Sequence, residues 1–176
     1  MSEKREIIVN ENDEIIGYKY WYDKDENDIY RVSSLWIVVP DQKSYKVLIA
    51  QRKWAKKNDP GKWGPSVAGT VEEGESYEDN IYKEAKEEVG LVSAKFLPMF
   101  DKPMFYNSNH RYFTMKYVTI GNWSLSDFTL QKSEVESLDL VNIDYLLHDT
   151  LENPDKYLLN FYQDIVDLKK FLEKMK

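Results

Sequence analysis

Eight carboxylates fall between Glu72 and Glu88, and the signals around them point to one local conformation. Ser76 is suited to cap a helix N-terminus, and Asp79 stands at the capping-box position. Gly90 follows where a left-handed glycine belongs. A helix is therefore expected from Ser76 to about Val89. Within it, Tyr77, Ile81, Ala85 and Val89 repeat at helical spacing and form an apolar stripe that would dock on a sheet. Glu84, Glu87 and Glu88 fall within roughly 100° of arc beside that stripe. Like charges three and four residues apart repel. A divalent cation would reverse that sign, and Mg²⁺ prefers carboxylate oxygens. A solvated acidic face explains the same composition, so residue types alone leave both readings open.

The rest of the chain supplies the sheet. Glu6–Tyr20 reads as a hairpin, with Ile7-Ile8-Val9 and Ile15-Ile16 flanking the turn-forming Asn10-Glu11-Asn12-Asp13. Tyr30–Val39 and Lys46–Gln51 read as strands joined by a turn from Pro40 to Ser44, the second apolar enough to lie inside a sheet. Further strands are expected at Ser66–Val71, Lys95–Met99, Arg111–Ile120 and Glu136–Asn142. A C-terminal helix is expected over about 154–175, opened by Pro154 and striped by Leu158, Tyr162, Ile165, Val166, Leu168 and Leu172. Strands in mixed order with two helices give an α/β or α+β class, in a single domain spanning 1–176.

Charge and composition narrow the function. With 24 basic and 31 acidic residues the formal charge is −7, a poor match to duplex DNA, whose binders neutralise phosphates. No cysteine is present, which removes disulfides, thiolate metal sites and cysteine nucleophiles. The longest apolar run, Leu35–Val39, is far short of the about 20 residues a membrane span needs. No targeting segment is legible, so a soluble cytoplasmic chain is expected.

The spacing then becomes specific. Gly69, five residues, Glu75, seven residues, and Lys83-Glu84-Ala85-Lys86-Glu87-Glu88-Val89-Gly90-Leu91 resembles the Nudix box over residues 69–91. One fixed position departs from the pattern: Lys83 stands where the family has Arg. Pro60-Gly61-Lys62-Trp63 is similar to the turn that precedes the box in that family. The stretch from Ile8 to Gly17 and Leu48-Ile49-Ala50-Gln51-Arg52 look most like the isopentenyl-diphosphate-isomerase-like branch. That isomerase uses a cysteine this chain lacks, so isomerase chemistry is disfavoured.

The resemblance implies an αβα sandwich with a mixed, twisted sheet. It implies an Mg²⁺-dependent (or Mn²⁺-dependent) hydrolase of the diphosphate joining a nucleoside, or a similar organic group, to a moiety X. By position, Glu84, Glu87 and Glu88 would be metal ligands and catalytic groups. Glu134, or else Glu136, would add a later carboxylate. Ala68 and Gly69 would contribute backbone to the site, and Arg52 would hold substrate phosphate. Glu75 and Lys83 would pair to support the loop, with Lys lacking the planar fork of Arg. Glu134, Glu136 and the lysines after Arg52 also read as ordinary solvated charges. The partner expected is a small diphosphate, with neither duplex DNA nor membrane, and homodimers are common in the family. The alternative is a Nudix-fold binding module with weak or no catalysis.

Overall fold

One long strand organises everything else. In the computed structural model, which describes residues 4–107 and 110–175, β3 spans Ile29–Asp41. Along one edge it pairs in parallel with β9 (Arg111–Ile120), from Ile29↔Arg111 to Val38↔Ile120. Its other edge is shared by three antiparallel strands. β1 (Glu6–Val9) takes Ile29 and Tyr30, β6 (Val67–Thr70) takes Val32–Leu35, and β4 (Ser44–Arg52) takes Ile37–Asp41. Beyond these, β2 (Ile15–Lys19) pairs β1, while β10 (Val135–Asn142) and β5 (Trp63–Gly64) pair β4. β7 (Leu97–Pro98) and β8 (Met104–Asn107) pair the far edge of β9.

β4 and β6 therefore part from the same edge of β3, and the fork needs a substitute for the missing ladder bonds. Buried Ser66 supplies it: its Oγ accepts from Ile37 N–H at 2.8 Å and donates to Leu48 C=O at 2.6 Å. A buried backbone group left unpaired would cost about 1–3 kcal/mol.

Both faces of β3 are buried along its middle, which is why Leu35–Val39 is apolar without interruption. Leu35 and Ile37 pack with Leu48, Val67 and the Ile81, Ala85 and Val89 stripe of α1 (Tyr77–Val89). Trp36 and Val38 face the opposite layer, formed by α2 (Ile143–Glu152) and α3 (Phe161–Lys174). The expected αβα sandwich on a mixed sheet is what the chain adopts. α1 begins and ends where its caps indicate: Ser76 and Asp79 form a reciprocal capping box, and Gly90 has φ 73°. Among the described residues no helix is long and apolar enough to cross a membrane.

Four expectations are corrected. The C-terminal helix begins at Phe161, not near 154, because Pro154–Lys156 forms a separate 3₁₀ turn. Leu158 then donates its N–H to Trp63 C=O at 2.9 Å, and Asn160 turns left-handed at φ 69° before the helix starts. The buried stripe is accordingly Phe161, Ile165, Leu168 and Leu172, while Leu158 lies outside the helix and Tyr162 is exposed. A third helix, α2, appears where two were expected; Asn142 caps it by accepting from Asp144 and Tyr145 N–H. β3 runs through Pro40 to a tight turn at Gln42, whose φ is 50°. That is tolerated because β9 has ended opposite Val38, so the Pro40 nitrogen has no strand beside it. β8 was not anticipated from sequence.

Candidate active site

Gly69 sits opposite Ser33 on β6, on the side of the sheet facing α1. A Cβ there would lie 2.3 Å from Glu84 Cγ, so the absent side chain is what allows α1 to bring Glu84 against the strand. One turn further along α1, Glu88 Oε2 accepts from Ala68 N–H at 3.3 Å. Glu84 and Glu88 are thus half-buried against β6, whereas Glu87 is exposed.

Burial sets the chemistry of the pair. It pushes the Glu88 carboxyl up to about 8, helped by the charge of Glu84 and opposed by the Ala68 N–H. Glu84 is also raised, by burial first, with Lys83 holding it down and Glu87 pushing up. Desolvated carboxylates facing each other resist losing their protons, since the charged form is penalised. Glu134 adds to that repulsion at Glu88, and Arg52 relieves it. The site is short of positive charge.

The loop before α1 is braced by the Lys83 ammonium. Its Nζ donates to Glu72 Oε2 at 2.7 Å and Glu75 Oε1 at 2.9 Å, and lies 3.2 Å from Glu84 Oε1. Burial would raise the Glu75 carboxyl, but its hydrogen bonds from Lys83 and Asn80 dominate and hold it at about 2. Asn80, fully buried, completes the brace by donating to Thr70 C=O and Glu75 Oε2 and accepting from Ser33. Sequence reading paired Glu75 with Lys83; the parts of Asn80 and Glu72 were not legible in it.

The later carboxylates reach the same end of the molecule through the loop before β10. Gln131 N–H donates to Glu88 C=O at 2.9 Å, and Lys53 N–H donates to Glu134 C=O at 3.1 Å. Glu134 pairs with Lys56, and Glu136 with Lys53 at 2.9 Å. Those two lysines are therefore occupied by carboxylates. The Arg52 guanidinium donates to Asn58 C=O at 3.2 and 3.1 Å and lines the adjoining cleft.

That cleft, about 1150 Å³, runs from Ala68, Gly69 and Arg52 across β3 to β9 and the N-terminal end of α3. Its size exceeds a typical small-molecule pocket of roughly 300–1000 Å³. Tyr30, Tyr106 and Tyr112 line it, together with Lys116 and Asp164. None of Tyr106, Tyr112, Lys116 and Asp164 carries a sequence signal for the site.

The donor chemistry at Glu84 and Glu88 fits a hard divalent cation: two clustered, half-buried carboxylates that raise each other's affinity for positive charge. Among the described residues no three acidic, His or Cys side chains stand close enough together to enclose a cation unaided. Two carboxylates with a backbone oxygen and water suit Mg²⁺, which usually retains several waters.

A family model described as NUDIX domain matches residues 29–161. An uncharacterised Nudix hydrolase of Clostridium acetobutylicum is 28% identical over 153 residues, covering 83% of this chain and 73% of that protein. The fold is similar to a crystal structure of a Deinococcus radiodurans protein, with TM-score 0.76 and 18% identity over 92% of this chain and 97% of that one. It is also similar to the NUDIX domain of Shewanella oneidensis NrtR in complex with ADP ribose, with TM-score 0.64 and 17% identity, covering 93% and 99%. A Caenorhabditis elegans Ap4A hydrolase gives TM-score 0.63 and 16% identity, covering 82% and 98%.

Proposed function

Since the chain belongs to the NUDIX domain family and is a pyrophosphohydrolase, we propose that it cleaves the diphosphate joining a nucleoside, or a similar small organic group, to a second moiety, with Mg²⁺ or Mn²⁺ as cofactor. The observation that carries this reading is the half-buried pair of Glu84 and Glu88, packed against Gly69 and Ala68, two residues that line a cleft shared with Arg52, Tyr30, Tyr106 and Tyr112. An anionic diphosphate is repelled by such a pair unless a cation lies between them, and these carboxylates have the donor chemistry for one. When bound, the cation would neutralise phosphate charge and lower the pKa of a water.

The chain's own residues divide the remaining work. Glu84, Glu88 and the Ala68 carbonyl are the proposed metal donors, with exposed Glu87 completing the set through its reachable carboxylate. Glu134 stands near Glu88 as a further acid or base. Arg52 contributes the guanidinium beside the cleft for a phosphate oxygen. Lys83, Glu72, Glu75 and Asn80 hold α1 and its preceding loop in register. We treat residues 1–176 as one domain, since the described elements pack on a single sheet. A cytoplasmic location fits the absence of cysteine, because disulfides mark oxidising compartments.

Two other readings are weaker. A binding module without catalysis rested on Lys83 replacing Arg, yet Lys83 reaches both Glu72 and Glu75 at hydrogen-bonding distance. The isomerase-like branch is suggested by the N-terminal hairpin, and isomerase chemistry is opposed by the missing cysteine.

The test is a panel of nucleoside diphosphate sugars, dinucleoside polyphosphates and nucleoside triphosphates with Mg²⁺, read by released phosphate after phosphatase coupling. Turnover that needs the cation and disappears in Glu88→Gln supports the reading. No turnover on any member, by folded protein with Mg²⁺ or Mn²⁺, would sink it.

A further inference from the structure

Among the described residues the Lys116 ammonium is the most deeply buried charge, with 2% of its side chain exposed, and it lies in the wall of the cleft. Its Nζ donates to Asp164 Oδ1 at 2.6 Å and to Tyr106 Oη at 2.7 Å. Tyr106 in turn donates to the same Asp164 oxygen at 3.1 Å. Asp164 Oδ2 receives neither of these bonds, and 18% of the Asp164 side chain stays open. Burying an ion pair usually contributes little net stability, and apolar replacements are often as good. A pair kept at the wall of a binding cleft calls for another explanation.

Position supplies one. Ala68 pairs with Ser34, and Ser34 pairs with Lys116, so the three residues form one row across β6, β3 and β9. Adjacent strands lie about 4.8 Å apart, which puts Lys116 roughly 10 Å from Ala68. The Lys116 ammonium is also held to Asp164 and Tyr106, so a phosphate beside Ala68 and Arg52 is not its partner. Whatever reaches Lys116 and Asp164 is the group carried on the diphosphate.

Charge narrows that group. Arg52 offers a cation at the phosphate end, but Lys116 is already neutralised by Asp164, so the inner end attracts no further anion. It presents an ammonium and a carboxylate side by side, a donor next to an acceptor. Tyr30, Tyr106 and Tyr112 stand around it, Tyr106 and Tyr112 stacked at 5.3 Å and Tyr30 and Tyr112 at 5.8 Å. Aromatic walls suit a flat ring, and base stacking on such side chains is favourable.

Resting on the diphosphatase reading above, we propose that Lys116 and Asp164 determine specificity by reading the edge of a nucleobase that bears an amino group, with Asp164 accepting from the amine and Lys116 donating to the ring's neighbouring acceptor. Sites built to hydrogen-bond a substrate group discriminate strongly against analogues lacking it, because their own buried polar atoms are left unpaired.

The experiment compares matched substrates with Mg²⁺: GDP-glucose against IDP-glucose, CDP-glucose against UDP-glucose, and ribose against 2′-deoxyribose forms of each. Wild type is expected to favour the amino-bearing member of a pair by tenfold or more in kcat/KM. In Asp164→Asn, and in the double variant Lys116→Met with Asp164→Leu, that ratio should fall to about twofold or less, with the loss mainly in KM. The double variant removes both charges together, so it guards against a single change that leaves one charge buried and unfolds the chain; circular dichroism checks each. A second arm needs no turnover: calorimetric binding of GMP against IMP and CMP against UMP should show the same preference, lost in the same variants. If wild type hydrolyses nothing yet binds with that preference, the diphosphatase reading fails and this one stands. Equal use of both members of every pair, discrimination that follows only the 2′-hydroxyl, or a preference unchanged in the double variant overturns it.

Discussion

The Cβ that Gly69 lacks would sit 2.3 Å from Cγ of Glu84. This close approach between β6 and α1 is therefore made possible by a missing side chain, and the carboxylate fills that space. Because the colliding atoms belong to a side chain, the helix can stay while the carboxylate is displaced.

Gly69→Ala should therefore cost more in activity than in stability. We expect destabilisation of about 1–3 kcal/mol, the usual range for overpacking. Mg²⁺-dependent turnover should fall at least tenfold, which is about 1.4 kcal/mol of barrier. Denaturant melts and steady-state rates on the same preparation check both. An alanine variant with full activity would show that Glu84 does not need its present position.

Lys83 tests whether an ammonium suffices where a guanidinium would carry a planar fork. Lys83→Arg should hold or raise both stability and turnover, since Glu72 and Glu75 both lie within reach of the present ammonium. Lys83→Met should destabilise by about 1–3 kcal/mol, the cost of leaving hydrogen-bonded carboxylates without their donor. Urea denaturation of the three proteins reads the difference. A stable Lys83→Met protein would mean that Asn80 and Lys4, which also reach these carboxylates, hold the loop without it.

Glu88→Gln should move stability in opposite directions with and without metal. Removing a desolvated, repelled charge should hold or raise the metal-free melting temperature. The same change should shrink the stabilisation given by added Mg²⁺, by linkage of binding to folding, and nearly abolish hydrolysis. Exposed Glu87, changed to Gln, should leave the metal-free melting temperature little altered while also cutting turnover. Scanning fluorimetry across a Mg²⁺ titration separates these effects. Wild-type behaviour in both variants would rule out the metal assignment.

Asp149, which does not line the cleft, provides a pH-dependent control. Buried at the end of α2, its Oδ2 accepts from Tyr157 Oη at 2.5 Å and its Oδ1 from Asn153 at 2.8 Å. The Tyr157 hydroxyl, more than any other contact, holds its carboxyl below the ordinary 3.8. A depressed carboxyl adds stability above its unfolded pKa, and that stability is lost as pH falls through the folded value. Asp149→Asn should thus be less stable than wild type at pH 7 by about 1–3 kcal/mol. The gap should close as pH falls below about 3.8, the carboxyl's ordinary value. Denaturation at pH 7, 5 and 3 checks it; a gap constant across all three would show that the charge is not what stabilises.

Much of this molecule was determined locally. α1 is written in its own residues: Ser76 and Asp79 bond each other's backbone, and Gly90 adopts the left-handed turn that ends the helix. Signals of this kind act within a few residues, so sequence order carries them. The resemblance carried by the spacing from Gly69 to Leu91 implied the Glu75–Lys83 pair, and helix geometry set Glu84 beside the apolar stripe, because it converts spacing into direction.

Tertiary structure decided what depends on distant partners. Pro154 signals a helix start, but Leu158 N–H is claimed by the Trp63 carbonyl, and α3 waits until Phe161. The arc of three glutamates is uniform in sequence, yet the packing of α1 on β6 half-buries Glu84 and Glu88 and leaves Glu87 in solvent. Lys116 and Asp164, 48 residues apart, look like ordinary charges until β9 and α3 close on each other. Hydrogen bonds and desolvation act through space, and sequence spacing predicts space only while a single helix or strand connects the residues.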